Sequence, residues 1–243
     1  VHQGDSFDFL RYLGPECIHA IVEDPPYASG GFREAERQGA KVQGIDDDAG
    51  TYARLGWFVG DNMTTGGLVF LLRSRAFEAA RVLVDGGSLL TFCDWRMTWI
   101  LGPALESAGL RWQAMVCWDK GSAGLGKGFR GRAEYVLHHV KGVGRFHADD
   151  GENVIRCGRV RPEEREHPTE KPVELLRQLI RVVAPVGGLV FDGFAGSGST
   201  GCAAILEGRR FLGVERNPGH VETIRARLSG IVPERDGQLG LLG

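Results

Sequence analysis

The chain has 243 residues, enough for one large domain or two small ones with a real hydrophobic core. Hydrophobic residues make up 42% and charged residues 25%, which excludes a disordered or low-complexity chain. The formal net charge is −2, so no global basic field draws nucleic acid, and any such contact has to come from a local patch.

The five cysteines (Cys17, Cys93, Cys117, Cys157, Cys202) form no CxxC pair. They read as reduced, buried thiols of a cytoplasmic protein rather than disulfides or zinc ligands. The chain shows no charged-then-apolar leader and no apolar run long enough to span a bilayer. Its first residue is Val1 rather than Met, so the natural start is expected slightly upstream.

Residues 7–13 have a mixed pattern and lead into an apolar strand at 17–22. Residues 28–66 are rich in glycine and charge and include Asp46-Asp47-Asp48; they read as a long flexible insertion or lid. Helical spacing returns over 68–84, followed by a turn at Asp85-Gly86-Gly87 and a buried strand over 88–93. A helix is predicted over 96–108, with Pro103 as a kink or restart. Strands at 111–118 and 133–140 have no helix between them and predict an antiparallel pair. The loop between those strands, Asp119 to Arg132, is rich in glycine and cations, and 141–166 reads as polar loop. Pro172 opens the helix VELLRQLIRVV, as a residue whose missing N–H is not needed in the first turn. Strand 188–192, helix 199–207, strand 210–215 and a helix from 218 to 228 complete the chain. Strands alternating with helices predict an α/β domain with a mainly parallel sheet, and no repeat or domain-sized linker divides it.

Two stretches carry chemistry. In the first, the strand 188–192 ends at Asp192 and runs into Gly193-Phe194-Ala195-Gly196-Ser197-Gly198-Ser199-Thr200, then a helix. Glycines let the backbone approach a ligand, and the free amides of a helix start face it. Glu215 ends the next strand about 20 residues on, the spacing at which an acid takes ribose hydroxyls. The third glycine of the dinucleotide fingerprint is replaced by Ala203 and Ala204, which disfavours NAD and leaves room for another adenosine ligand. In the second stretch, strand 17–22 runs into Glu23-Asp24-Pro25-Pro26-Tyr27. Prolines fix their own backbone angle and restrict the residue before them. The result is a stiff bracket with a carboxylate at Asp24, a carbonyl acceptor at Pro25 and an aromatic face at Tyr27. Two acceptors and a ring suit a planar base bearing an NH2 group.

With these motifs in view, the chain resembles the S-adenosylmethionine-dependent amino-methyltransferases of DNA. Asp24-Pro25-Pro26-Tyr27 resembles the family's catalytic motif, and Asp192 to Thr200 its cofactor loop. His167-Pro168-Thr169-Glu170-Lys171-Pro172 resembles the HxTxKP segment, and Gly4-Asp5-Ser6 a short opening motif. Trp118-Asp119-Lys120, Phe129-Arg130 and Glu134-Tyr135 match weaker features, and Gly60-Asp61-Asn62 a segment of phage-type members. The catalytic motif precedes the cofactor loop, which resembles the permuted β-group. The family usually has proline where Gly193 stands. The stretch from Tyr135 to His167 is short for a separate target-recognition domain.

The resemblance implies a single Rossmann-like methyltransferase domain over 1–243, with helices on both faces and one antiparallel hairpin strand. It implies S-adenosylmethionine as cofactor, double-stranded DNA as partner and adenine N6 of a flipped-out base as target, because aspartate at the first motif position is usual in adenine enzymes. Asp24, Pro25, Pro26 and Tyr27 would be catalytic. Phe194 to Thr200 would cradle the cofactor with Asp192 and Asp24 beside it, and Glu215, Arg216, Asn217 and Asp5 near its adenosine end. His167, Thr169 and Lys171 would approach its methionyl end, Lys171 pairing with the carboxylate. Phosphate contacts are expected from Lys120, Lys127, Arg130, Arg132 and Arg145, with Lys141, Arg156, Arg159 and Arg161 as further donors. Recognition would be divided between 28–66 and 141–166, or shared with a second subunit of a homodimer. Alternatives are cytosine-N4 methylation, a DNA-binding relative without catalysis and a nicotinamide oxidoreductase. The DNA sequence recognised and any restriction endonuclease partner stay open.

Overall fold

The computed structural model describes residues 1–27, 64–124, 127–160 and 170–232. Most of the expected lid, including Gly60-Asp61-Asn62, and the end of the expected recognition loop lie outside the described residues.

Among the described residues, eight strands form one sheet in the order β1-β8-β7-β2-β3-β5-β4-β6. The strands are β1 His2–Gln3, β2 Ile18–Glu23, β3 Leu83–Cys93, β4 Arg111–Asp119, β5 Ala133–Val140, β6 Val154–Arg156, β7 Leu189–Asp192 and β8 Arg210–Glu215. Among the described residues only β5 runs against its neighbours, pairing antiparallel with both β3 and β4. The mainly parallel sheet with an antiparallel pair is therefore present.

The helices among the described residues are α1 Ser6–Tyr12, α2 Thr65–Val82, α3 Thr98–Glu106, α4 Val173–Val183, α5 Ser199–Leu206 and α6 Pro218–Ser229. Strand residues alternate between two cores because successive side chains point to opposite faces. Ile21, Leu89, Leu137 and Phe191 pack with α1, α2 and α3 through residues such as Leu10, Leu72 and Leu101. Ala20, Val22, Leu90, Val136 and Val190 pack with α4 and α5 through Leu175, Leu179, Ile180, Ala203 and Ala204. Each large aliphatic side chain so buried is worth about 1.5–3 kcal/mol.

Four elements differ from their expectation. The mixed stretch at 7–13 is a helix, because Asp5 caps it by accepting the Phe7 N–H at 2.8 Å. The turn expected at 85–87 lies inside β3. Gly86 takes φ 78°, which glycine adopts freely, and its N–H donates to the Lys141 carbonyl at 2.9 Å. Pro103 does not restart α3, which runs through it. Within the expected loop 141–166, Val154–Arg156 pairs parallel with β4.

Two neighbouring strands set up the site. β2 is followed in the chain by α2 and β3 on one side, and β7 by α5 and β8 on the other. The chain thus departs in opposite directions from β2 and β7, the kind of switch point where open α/β sheets open a crevice at their carboxyl ends. Asp24 follows β2 there and Asp192 ends β7 there.

Candidate active site

Asp24 carries a partner on each carboxylate oxygen. The Tyr27 hydroxyl donates to Oδ1 at 2.7 Å, and the Lys171 ammonium donates to Oδ2 at 2.5 Å. Glu134, on β5, sits across from both: its Oε2 is 3.4 Å from the Tyr27 hydroxyl and 3.5 Å from Lys171 Nζ. Its Oε1 accepts from Lys120 Nζ at 2.9 Å, just past the end of β4. Two carboxylates, two ammonium groups and one phenol thus close a charge-balanced network. The Lys171 ammonium also lies 5.4 Å from the Tyr27 ring and 5.2 Å from the Phe92 ring.

Burial and charge compete here. Burial disfavours the Lys171 ammonium, but Asp24 and Glu134 outweigh it and hold its pKa above the usual lysine value. Burial likewise opposes the Glu134 carboxylate, and Lys171 and Lys120 overcome it and lower its pKa. Tyr27 is pushed well above the ordinary phenol value, first by burial and then by the nearby Asp24 and Glu134 charges. It stays a phenol and therefore a donor. Lys171 was expected at the methionyl carboxylate of the cofactor; in this structure its partners are Asp24 and Glu134.

The cofactor loop is built on backbone demands. Gly196 and Gly198 take φ of 49° and 80°, and Gly198 is the N-cap of α5. A side chain at Gly198 would also meet Ile224 of α6 at 2.8 Å. Glu215 Oε2 accepts the Gly196 N–H at 3.0 Å and Oε1 the Asn217 N–H at 2.8 Å. A carboxylate has about four acceptor sites, so capacity for ribose hydroxyls is left over. The chain start joins this edge: Gly4 N–H donates to the Glu215 carbonyl at 3.0 Å, and Arg216 Nε lies 3.8 Å from Asp5 Oδ2. Asp192 accepts the Phe194 N–H at 2.8 Å. Burial raises its pKa to about 7 against the opposing Thr200 and Phe194 hydrogen bonds, and the Glu23 and Asp24 charges add to the rise.

Glu170 supplies a link that the motif pattern does not reveal. It accepts from Ser199 Oγ at 3.2 Å and pairs with Arg227 at 2.8 Å, while Arg227 also donates to the Ser197 carbonyl at 3.0 Å. The residue next to Lys171 is thereby fastened to the cofactor loop. His167 and Thr169 lie outside the described residues.

The expected phosphate donors separate into groups. Lys127 and Arg130 are exposed beside Phe129, beyond the ends of β4 and β5. Arg132 is clamped on Asp119, and Lys120 belongs to the buried network. Arg145 is not brought to this edge. It pairs with Asp85 at 3.4 Å and lines a pocket of about 230 Å³ with His19 and Gly86, toward the opposite end of the parallel strands. Among the described residues no group of His, Cys, Asp or Glu is arranged to hold a metal, and no helix is long and apolar enough to cross a membrane.

A family model described as DNA methylase, of the N6/N4 methyltransferase type, matches residues 18–226. The chain belongs to this family. The Escherichia coli (strain K12) protein named "Putative methylase YubD" is 30% identical over 215 residues, covering 88% of this chain and 82% of that protein. The structure of M1.HpyAVI with S-adenosylmethionine superposes with TM-score 0.66 at 21% identity, covering 93% of this chain and 97% of that one. PvuII DNA methyltransferase, described as cytosine-N4-specific, gives TM-score 0.70 at 17% identity over 93% of this chain and 84% of that one. These two likenesses concern the fold, which does not separate the two target bases. As a DNA methylase of this family, the chain is an S-adenosylmethionine-dependent DNA methyltransferase. The glycine loop and the spare acceptors of Glu215 fit that cofactor.

Proposed function

We propose that this DNA methylase moves the methyl group of S-adenosylmethionine to adenine N6 of a base flipped out of double-stranded DNA. The observation that supports it is the meeting of Asp24-Pro25-Pro26-Tyr27 and the Asp192–Thr200 loop at one switch point. Aspartate rather than serine at the first motif position favours adenine over cytosine.

The exocyclic amine is a poor nucleophile because its lone pair is delocalised into the ring. Asp24 and the Pro25 carbonyl accept its two N–H bonds and draw the nitrogen toward tetrahedral geometry, freeing the lone pair. The cofactor supplies an electrophilic methyl on a sulfonium. Positioning therefore carries most of the rate, through an in-line displacement that needs no covalent enzyme intermediate. The N–C bond forms as the S–C bond breaks, the nitrogen becomes positive beside Asp24, and its extra proton leaves to Asp24 or water. The network of Lys171, Glu134 and Tyr27 holds the Asp24 carboxylate in place before the base arrives. Flipping costs a few kcal/mol, of which stacking on Tyr27 returns about 1–3 kcal/mol.

Cofactor contacts are assigned to Asp192, Phe194 to Thr200, Glu215, Arg216, Asn217 and Asp5, with His167 and Thr169 from the adjoining segment. A homodimer is part of the reading, since the stretch from Tyr135 to His167 is short for a recognition domain. Mass spectrometry of nucleosides from DNA treated with the enzyme tests the target. N6-methyladenine is expected, and N4-methylcytosine alone would replace the adenine assignment.

A further inference from the structure

Arg75 of α2 is 1% exposed, yet it lies beneath the site rather than in either apolar core. Its Nη1 donates to Glu23, itself 3% exposed and the residue next to Asp24. Its guanidinium carbon is 5.2 Å from the Phe194 ring centre and 5.8 Å from that of Phe191. Its Nη2 faces Gly193: a Cβ there would stand 2.3 Å from Nη2, and 3.0 Å from the Ser6 Cβ. Among the described residues, Arg75 Nε and Nη2 have no hydrogen-bond partner.

Stability alone is a weak reason for this arrangement. Buried ion pairs often break even against apolar residues of similar volume, and unfilled buried donors add a cost. What the guanidinium does is join two segments: the end of β2, which carries Asp24, and the Gly193-Phe194 turn after β7, which leads the cofactor loop. Its planar fork can pair with a carboxylate while its face lies along an aromatic ring, which a lysine cannot reproduce. Gly193 is the residue that leaves it room.

We infer that Arg75 is a positioning residue that sets the target-amine bracket against the cofactor loop, and that Gly193 is glycine in order to admit it. The inference rests on the methyl-transfer reading for its effect on turnover, but its geometric core does not.

The test is a mutant cycle with calorimetric S-adenosylmethionine binding, kcat and KM for methyl transfer, and Tm. Gly193→Ala alone is expected to weaken cofactor binding about tenfold. In an Arg75→Lys background, where Nη2 is gone, the same step is expected to cost less than about twofold. Glu23→Gln/Arg75→Met is expected to keep or raise Tm while lowering kcat about tenfold, a split that a merely structural role would not give. An equal cost of Gly193→Ala in both backgrounds would overturn the inference, as would wild-type kcat in a folded Glu23→Gln/Arg75→Met. If that double variant does not fold, the Arg75→Lys cycle decides alone. Absence of adenine methylation by the wild type would sink the target assignment and leave the binding cycle readable, so the two ideas fail separately.

Discussion

Lys171 caps Asp24, its ammonium 2.5 Å from Oδ2, although the two are 147 residues apart in the chain. The contact makes Lys171 a partner of the proposed catalytic carboxylate, and a role there is proposed for it ahead of one at the cofactor. Asp24→Ala is expected to lower methyl transfer at least about 100-fold with cofactor affinity nearly unchanged. Lys171→Met removes a charge-assisted hydrogen bond and leaves Asp24 and Glu134 facing each other without their shared cation. It is expected to lower kcat about tenfold while changing the cofactor Kd by less than about threefold. A large rise in Kd with kcat preserved would return Lys171 to the methionyl carboxylate.

Tyr27 has two functions to separate, a ring for stacking and a hydroxyl that donates to Asp24 at 2.7 Å. Tyr27→Phe keeps the ring and is expected to lower kcat about fivefold, with KM for DNA nearly unchanged. Tyr27→Ala loses both and is expected to raise KM about tenfold as well. Steady-state kinetics on one duplex substrate resolve the two. If Tyr27→Phe matched the wild type, the hydroxyl would have no part in orienting Asp24.

Much of this site was legible in the sequence because its signals are local. Prolines stiffen a strand end, glycines open a loop, and an acid about 20 residues later meets that loop; each depends on neighbours in the chain. The strands followed for the same reason, since alternation such as Val190 inward to one core and Phe191 to the other is a short-range pattern. What stayed hidden is long-range pairing of charges. Nothing local marks Arg75, within an amphipathic helix, as buried against Glu23. Glu170 reads only as an interior residue of a motif. β6 escaped because its three residues are shaped by β4 rather than by their own pattern. The proline-to-glycine departure at 193 was visible, but its physical reason needed the position of Arg75.

Asp192 gives a pH dependence whose sign follows from its burial. Its folded pKa is raised from 3.8 to about 7, so the folded state holds a proton that the unfolded state has lost. Its contribution to stability is fully present below the unfolded value and is lost as pH rises through about 7. His138 acts oppositely: its pKa is lowered from 6.5 to about 4, mainly by burial, so its contribution is lost as pH falls through that range. Asp192→Asn is expected to remove a loss of stability that falls between about pH 4 and 7, so the variant's Tm gains on the wild type as pH rises through that range and the opposing His138 rise shows more plainly. Tm measured from about pH 5 to 8 for both proteins checks this. A wild-type decline that persists in Asp192→Asn would mean that another group carries it.

The DNA contacts can be divided by position. Lys127 and Arg130 are exposed on the loop that follows β4, at the end of the sheet that carries the Asp24 network. Arg145 pairs with Asp85 toward the opposite end. Each phosphate contact releases condensed counterions, so losing one lowers the slope of log K against log salt by about 0.9. Lys127→Ala and Arg130→Ala are each expected to weaken duplex binding and reduce the salt slope by about one, with cofactor binding unaffected. Arg145→Ala is expected to leave both the affinity and the slope unchanged. Fluorescence anisotropy across a salt series measures all three. A slope that fell only with Arg145→Ala would move the DNA to the other end of the sheet and away from Asp24, which the methyl-transfer reading does not permit.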